Sequence, residues 1–197
     1  MLNVAMLSFW HVHARDYLRQ VQARPDCRVA AVWDELPERG RAEAAGIGVP
    51  FYENLHDLLA VPEIDAVVVD APTNMHAEIM IAAAKAGKAI FTEKVLAATT
   101  AEADRIIEAV KQSGRPFMIS LPRLTESRFL YVKRAIETGL LGQVTMLRTR
   151  LAHDGALPRE SAPNGWLPEH FFDKAQCGGG ALIDLGCHPM YLAAFFL

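Results

Sequence analysis

The amino-acid sequence predicts an α/β fold built on a doubly wound, mostly parallel β-sheet, and three observations carry that expectation. Short apolar runs alternate with helical patterns of 10 to 15 residues through the first 120 residues, the pattern of successive βαβ units. The run Ala66-Val67-Val68-Val69 is β-branched and unbroken, as a strand covered on both faces must be. Polar and unusual residues gather where the strands end: Ser8 to His13, Asp34, Pro72 to His76 and Thr92 to Lys94. Ligands of a doubly wound sheet bind beyond those carboxyl ends.

Each element has its own signal. Leu2 to Leu7 reads as a buried strand, followed by a helix from about Val12 to Arg24. Cys27 to Trp33 is a second strand ending at Asp34, and a helix follows from Leu36 to Ala45. A short strand lies near Val49-Pro50-Phe51, and Asn54 is placed to cap a helix through Leu59. After the Val-rich strand comes a helix from Met75 to Ala86, closed by Gly87. Ala89 to Phe91 is the fifth strand, Thr100 to Ser113 an N-capped amphipathic helix ended by Gly114, and Pro116 to Ser120 the sixth strand.

Beyond residue 121 the pattern changes, so residues 1–121 are expected to form the sheet domain and 122–197 an incomplete α+β domain. A helix is expected from Thr125 to Glu137 and a half-buried strand over Gln143 to Arg150. Gly178-Gly179-Gly180 opens a strongly apolar helix that reaches Leu197 with no closing Gly, Pro or basic residue. That end reads as a truncation of a longer protein, or as a core completed by a partner.

Composition narrows the function classes. The chain has 197 residues, 51% hydrophobic and 22% charged, which supports a folded core. A net charge of −3 without a basic run argues against nucleic acid or an anionic membrane surface as partner. No apolar stretch reaches the roughly 18 to 20 residues of a membrane span. Three widely spaced cysteines, Cys27, Cys177 and Cys187, do not make a disulfide framework, and a cytoplasmic protein is expected.

Asp34 follows His13 by 21 residues, where an acidic side chain can accept hydrogen bonds from both ribose hydroxyls of an adenine nucleotide and repel a 2′-phosphate; alternatively it is a plain helix N-cap. The first turn lacks the Gly-x-Gly-x-x-Gly pattern of such sites. Ser8, Trp10 and His13 occupy the three glycine positions, and an indole at the second should obstruct a pyrophosphate. His11 and His13, with Lys94, His153, His170 and Asp184, resemble the ligand set of amidohydrolases, in which zinc activates water. That scaffold is an eight-stranded barrel larger than this chain, so no metal is expected. Lys94 at a strand's carboxyl end can stabilise negative charge on a substrate oxygen, or simply pair with Glu93. Asp184 and His188, spaced i and i+4 on the expected helix, can share one ligand as a general acid/base pair, or form an ordinary helix ion pair.

Val67 to His76, Ala86-Gly87-Lys88 leading to Thr92-Glu93-Lys94, and Gly178 to His188 together resemble the Gfo/Idh/MocA family of NAD(P)-dependent oxidoreductases over essentially the whole chain. The resemblance implies a Rossmann sheet domain followed by a mostly antiparallel second domain. By position it makes Lys94, Asp184 and His188 catalytic, with His188 exchanging the proton of the reacting hydroxyl. Ser8, Phe9, Trp10, His11 and His13 would form the cofactor turn, Asp34 would hold the adenosine ribose, and Pro72, Asn74, His76, Glu93 and Lys94 would line the cofactor cleft. It implies NAD, with NADP admitted by Arg39 and Arg41, a small sugar- or polyol-like substrate, and a homo-oligomer. The sequence departs from the family pattern at the glycine-less turn, at Val95 in place of a proline, and at Tyr191 in place of an aspartate. Two further readings stand beside the dehydrogenase: a non-catalytic ligand-binding relative with impaired cofactor binding, and a zinc hydrolase using His11 and His13.

Overall fold

Six parallel strands form one sheet in the order β3-β2-β1-β4-β5-β6 in the computed structural model, which describes residues 1–163 and 165–197. The strands are β1 (Leu2–Leu7), β2 (Cys27–Trp33), β3 (Phe51–Tyr52), β4 (Ala66–Val69), β5 (Ala89–Thr92) and β6 (Phe117–Ile119). Between them run α1 (Ala14–Gln22), α2 (Pro37–Ile47), α3 (Leu55–Leu59), α4 (His76–Lys85) and α5 (Thr100–Ser113). The strand order reverses at β1 and β4, so their carboxyl ends flank the switch point at which such sheets bind ligands.

Alternation along β1 divides the core. Ala5 and Leu7 face α3, α4 and α5, packing with Leu58, Met80 and Ile106; Val4 and Met6 face α1 and α2, packing with Ala14, Leu18 and Ala44. A hollow of about 580 Å³ remains beside α1 along β4, β5 and β6, lined by Tyr17, Val68, Phe91, Phe117 and Met118. The caps follow local chemistry: Asn54 accepts the amides of His56 and Asp57, and Thr99 forms a reciprocal capping box with Glu102. In α2, Gly40 lets the helix sit on the sheet, since a Cβ there would lie 2.3 Å from the Phe51 ring.

After β6 the chain is helical or irregular: α6 (Ser127–Glu137), α7 (Lys174–Cys177), α8 (Ala181–Asp184) and α9 (Cys187–Phe196). Two expectations fail here. Gln143 to Arg150 forms no strand, because among the described residues it has no neighbouring strand to take its backbone hydrogen bonds. Instead Leu147 lines a hollow with Phe129, Val132 and Phe196. The apolar helix after Gly180 is also interrupted, at Leu185 and Gly186. Proline in a helix interior clashes with the carbonyl four residues back. The break removes that clash between Pro189 and Leu185 and places Pro189 in the first turn of α9. The three cysteines are free thiols, and among the described residues no helix is long and apolar enough to cross a membrane.

Candidate active site at the carboxyl edge of the sheet

The loops after β1, β4 and β5 meet the segment around α7 and α8 over the switch point. They enclose a cavity of about 240 Å³ whose wall includes Trp10, His11, Thr73, Lys94, Gly180 and Asp184. Lys94 is the buried cation of this wall. Its Nζ donates to Asp184 Oδ1 at 2.5 Å and to the Asp184 backbone carbonyl at 3.1 Å, joining the end of β5 to α8 across 90 residues of sequence.

His188 is not on the same helix as Asp184, so the expected i, i+4 pair is not formed on one helix face. It lies in the adjoining hollow with Arg123, Phe129 and Leu147. Burial, with Lys94 and Arg123 nearby, brings its imidazole down to about 4, so it is neutral at pH 7. Its Nδ1 lies 2.9 Å from the Tyr191 hydroxyl.

Glu93, next to Lys94, is almost fully buried and holds a network of its own. His13 Nδ1 is 2.9 Å from Oε1, the Tyr17 hydroxyl also donates to Oε1, and the Lys94 amide donates to Oε2 at 2.7 Å. Burial alone would raise this carboxyl, but the His13 and Tyr17 hydrogen bonds and neighbouring His11 bring it down to about 2. His11 is held neutral, at about 3, chiefly by burial. Asp70, at the end of β4, is fully buried, and neither side-chain oxygen has a partner among the described residues. Burial and then Glu93 push its carboxyl well above the usual range.

The first turn keeps the backbone course of a glycine turn without its glycines. Ser8 adopts φ 79°, the left-handed conformation usually left to glycine. The amides that such a turn normally offers an anion are already engaged. Phe9 N–H donates to Asp34 Oδ2, Trp10 N–H to Ser8 Oγ, His11 N–H to the Asp70 carbonyl and His13 N–H to His11 Nδ1. The Trp10 indole stacks on Phe171 at 4.8 Å and donates from Nε1 to Gln176, while His170 Nε2 lies 2.9 Å from the Trp10 carbonyl. Asp34 is buried, accepts the Phe9 and Leu36 amides, and is clamped by Arg39 through Nε and Nη2.

Three expected cleft residues are not among those lining the cavity. His76 is buried with Nδ1 2.8 Å from the Val95 carbonyl and Nε2 3.0 Å from the Ala71 carbonyl, so it braces the loop carrying Lys94. Pro72 caps the short 3-10 turn Thr73–Met75. Asn74 lines an exposed groove with His56, Glu78 and Glu102, while its neighbour Thr73 faces the cavity. Sequence reasoning took in Thr73 only as part of the span Pro72 to His76, and missed Tyr17, Phe171 and Gln176. Only long-range packing brings them to the site, and Tyr17 alone had a local signal, as a polar aromatic within α1.

A dinucleotide meets a divided site. At the end near β4 and β5, Thr73, Lys94 and Gly180 border an open cavity. At the pyrophosphate end, Trp10 must leave Phe171 and Gln176 before a phosphate can approach the turn.

The comparisons with known proteins agree with this architecture. The family described as "Oxidoreductase family, NAD-binding Rossmann fold" matches residues 4–121, and "GFO/IDH/MocA C-terminal domain" matches residues 129–197. A myo-inositol 2-dehydrogenase of Thermotoga maritima is 31% identical over 173 residues, covering 87% of this chain and 48% of that protein. A scyllo-inositol 2-dehydrogenase (NAD(+)) of Bacillus subtilis is 27% identical over 197 residues, covering 100% of this chain and 52% of that protein. The crystal structure of an NAD-binding protein from Listeria innocua aligns with a TM-score of 0.80 at 26% identity, covering 100% of this chain and 55% of that one. The chain thus spans about half the length of the curated relatives it matches.

Proposed function

Because the chain belongs to the Gfo/Idh/MocA oxidoreductase family, we propose that it serves an NAD(P)-dependent dehydrogenase acting on a secondary hydroxyl of a sugar, polyol or related small molecule. The observation that carries this reading is the Lys94–Asp184 pair in the cavity wall. Buried at the end of β5, the Lys94 ammonium is placed to donate to a substrate oxygen and to stabilise negative charge developing there. Asp184 orients that ammonium. In the tautomer that donates Nδ1–H to the Tyr191 hydroxyl, His188 keeps a lone pair on Nε2, and its neutrality at pH 7 suits it to take the hydroxyl proton from the adjoining hollow. When bound, the nicotinamide supplies the hydride acceptor. Asp34 would hold the adenosine ribose once Arg39, which now clamps its carboxylate, swings away, and the carboxylate so freed would favour NAD over NADP by repelling a 2′-phosphate.

The test is NAD reduction over a panel of inositols and aldoses with the wild type, Lys94→Ala and His188→Ala. Turnover should fall by about 10²- to 10⁴-fold in each variant, the size of a lost proton-transfer group, with unfolding transitions retained. Unchanged turnover in both variants would overturn the assigned roles. A wild type that binds no dinucleotide would leave the non-catalytic reading, which the engaged amides of the first turn favour.

A further inference from the structure

His11, His13 and Glu93 reach one point from two loops. A ring nitrogen of each histidine and a carboxylate oxygen of Glu93 all lie within 4.8 Å of one another. The two histidines come from the turn after β1 and the glutamate from the end of β5, so the sheet's parallel register sets the group. We propose that these three side chains form a binding site for a single first-row divalent transition-metal ion, of the two-histidine, one-carboxylate kind.

Four features support the site. Two imidazoles with one carboxylate suit zinc, iron(II) or manganese(II). Two of the ligands have the protonation state a metal needs, with burial holding His11 neutral and Glu93 ionised; if His11 binds through Nδ1, it gives up the His13 amide that this nitrogen now accepts. The carboxylate has the outer hydrogen bonds that metal-ligating carboxylates usually have, from the Tyr17 hydroxyl, itself 2.7 Å from Ser120 Oγ, and from the Lys94 amide. Glu93 is left without a lysine or arginine partner among the described residues, since Lys94 is already paired with Asp184. Ligand atoms about 2.0–2.2 Å from one ion stand roughly 3–3.6 Å apart, so binding would widen the 2.9 Å His13–Glu93 contact and replace it with two bonds to the metal, with His11 completing the set from within 4.8 Å. His13 is half exposed and free to make that movement. His11 also lines the cavity that Lys94 and Asp184 border, so the proposed site adjoins that cavity.

This inference does not depend on the dehydrogenase reading, because its test uses neither dinucleotide nor substrate. The protein, stripped with chelator, is titrated with zinc chloride by calorimetry and with cobalt(II) by visible absorption. The expected result is one ion per chain and a four- or five-coordinate cobalt spectrum. His13→Ala, at a half-exposed position that packing does not need, should weaken zinc by at least roughly tenfold. His11→Ala should do the same, and a thermal melt of each variant confirms the fold. Substoichiometric zinc, a cobalt spectrum like that of the aqueous ion, or unchanged affinity in folded His13→Ala would each overturn the site.

Discussion

At Trp10 two parts of the chain compete with a ligand. The indole fills the place where a second glycine would open the turn, and it is held there by Phe171 and Gln176 from the far end of the sequence. Trp10→Gly would remove that cover and let the turn amides relax away from Ser8 Oγ. NADH affinity, followed by nicotinamide fluorescence, should rise by about tenfold, equivalent to about 1.4 kcal/mol. Stability should fall by about 3–5 kcal/mol from the lost packing. Unchanged or weaker NADH binding would mean that the turn, rather than its cover, limits the site. The sequence revealed the missing glycines but not the partners of Trp10, because nothing local marks a contact 166 residues away. The same holds for His13 and Glu93, whose types suggested chemistry while their proximity needed the folded sheet.

Among the elements, the strands were the most legible, because a buried parallel strand is an unbroken apolar run and cannot hide its ends. Helix starts were less so. The first helix, expected from about Val12, opens at Ala14, whereas α5 opens at Thr100 as expected, capped by Thr99, whose hydroxyl accepts the Glu102 amide while Glu102 reaches back to the Thr99 amide. Thr99→Ala should therefore cost about 1 kcal/mol, read as a lower urea midpoint with unchanged slope. A loss within error would show that solvent replaces the cap. The two misread elements lie after β6 for different reasons. Gln143 to Arg150 has the alternation of a strand but lacks a neighbour, and periodicity carries no information about partners. The break before α9 was legible in principle, since Pro189 lies too far inside the expected helix for its ring to be tolerated.

For the whole molecule, pH dependence follows from where the histidines are buried. Burial lowers His76 and His188 below their usual value near 6.5, so the unfolded chain binds more protons than the fold as pH drops below 6.5. Stability is then fully expressed above pH 6.5 and is lost as pH falls through the window down to about 4. Glu93, depressed to about 2, adds a separate loss only below its ordinary value of 4.5. Asp70, pushed well above its ordinary value by burial, gains stability over part of the same range, so the histidine contribution is read against a variant: between pH 7.5 and pH 5 the urea midpoint of His76→Gln should fall less than that of the wild type. An equal or steeper dependence in His76→Gln would show that His76 titrates as it does in the unfolded chain.

The uncovered hollow along β4, β5 and β6 bears on how loss of structure is measured. Environment-sensitive apolar dyes are commonly taken to report loosened packing, because a well-packed interior gives them no place to bind. Here the intact sheet presents Val68, Phe91, Phe117 and Met118 around about 580 Å³ of accessible space. A dye can light up on that native surface without any strand or helix coming apart. Near-ultraviolet circular dichroism of the aromatic residues, which depends on their fixed surroundings, is therefore the signal that separates an ordered chain from a molten one.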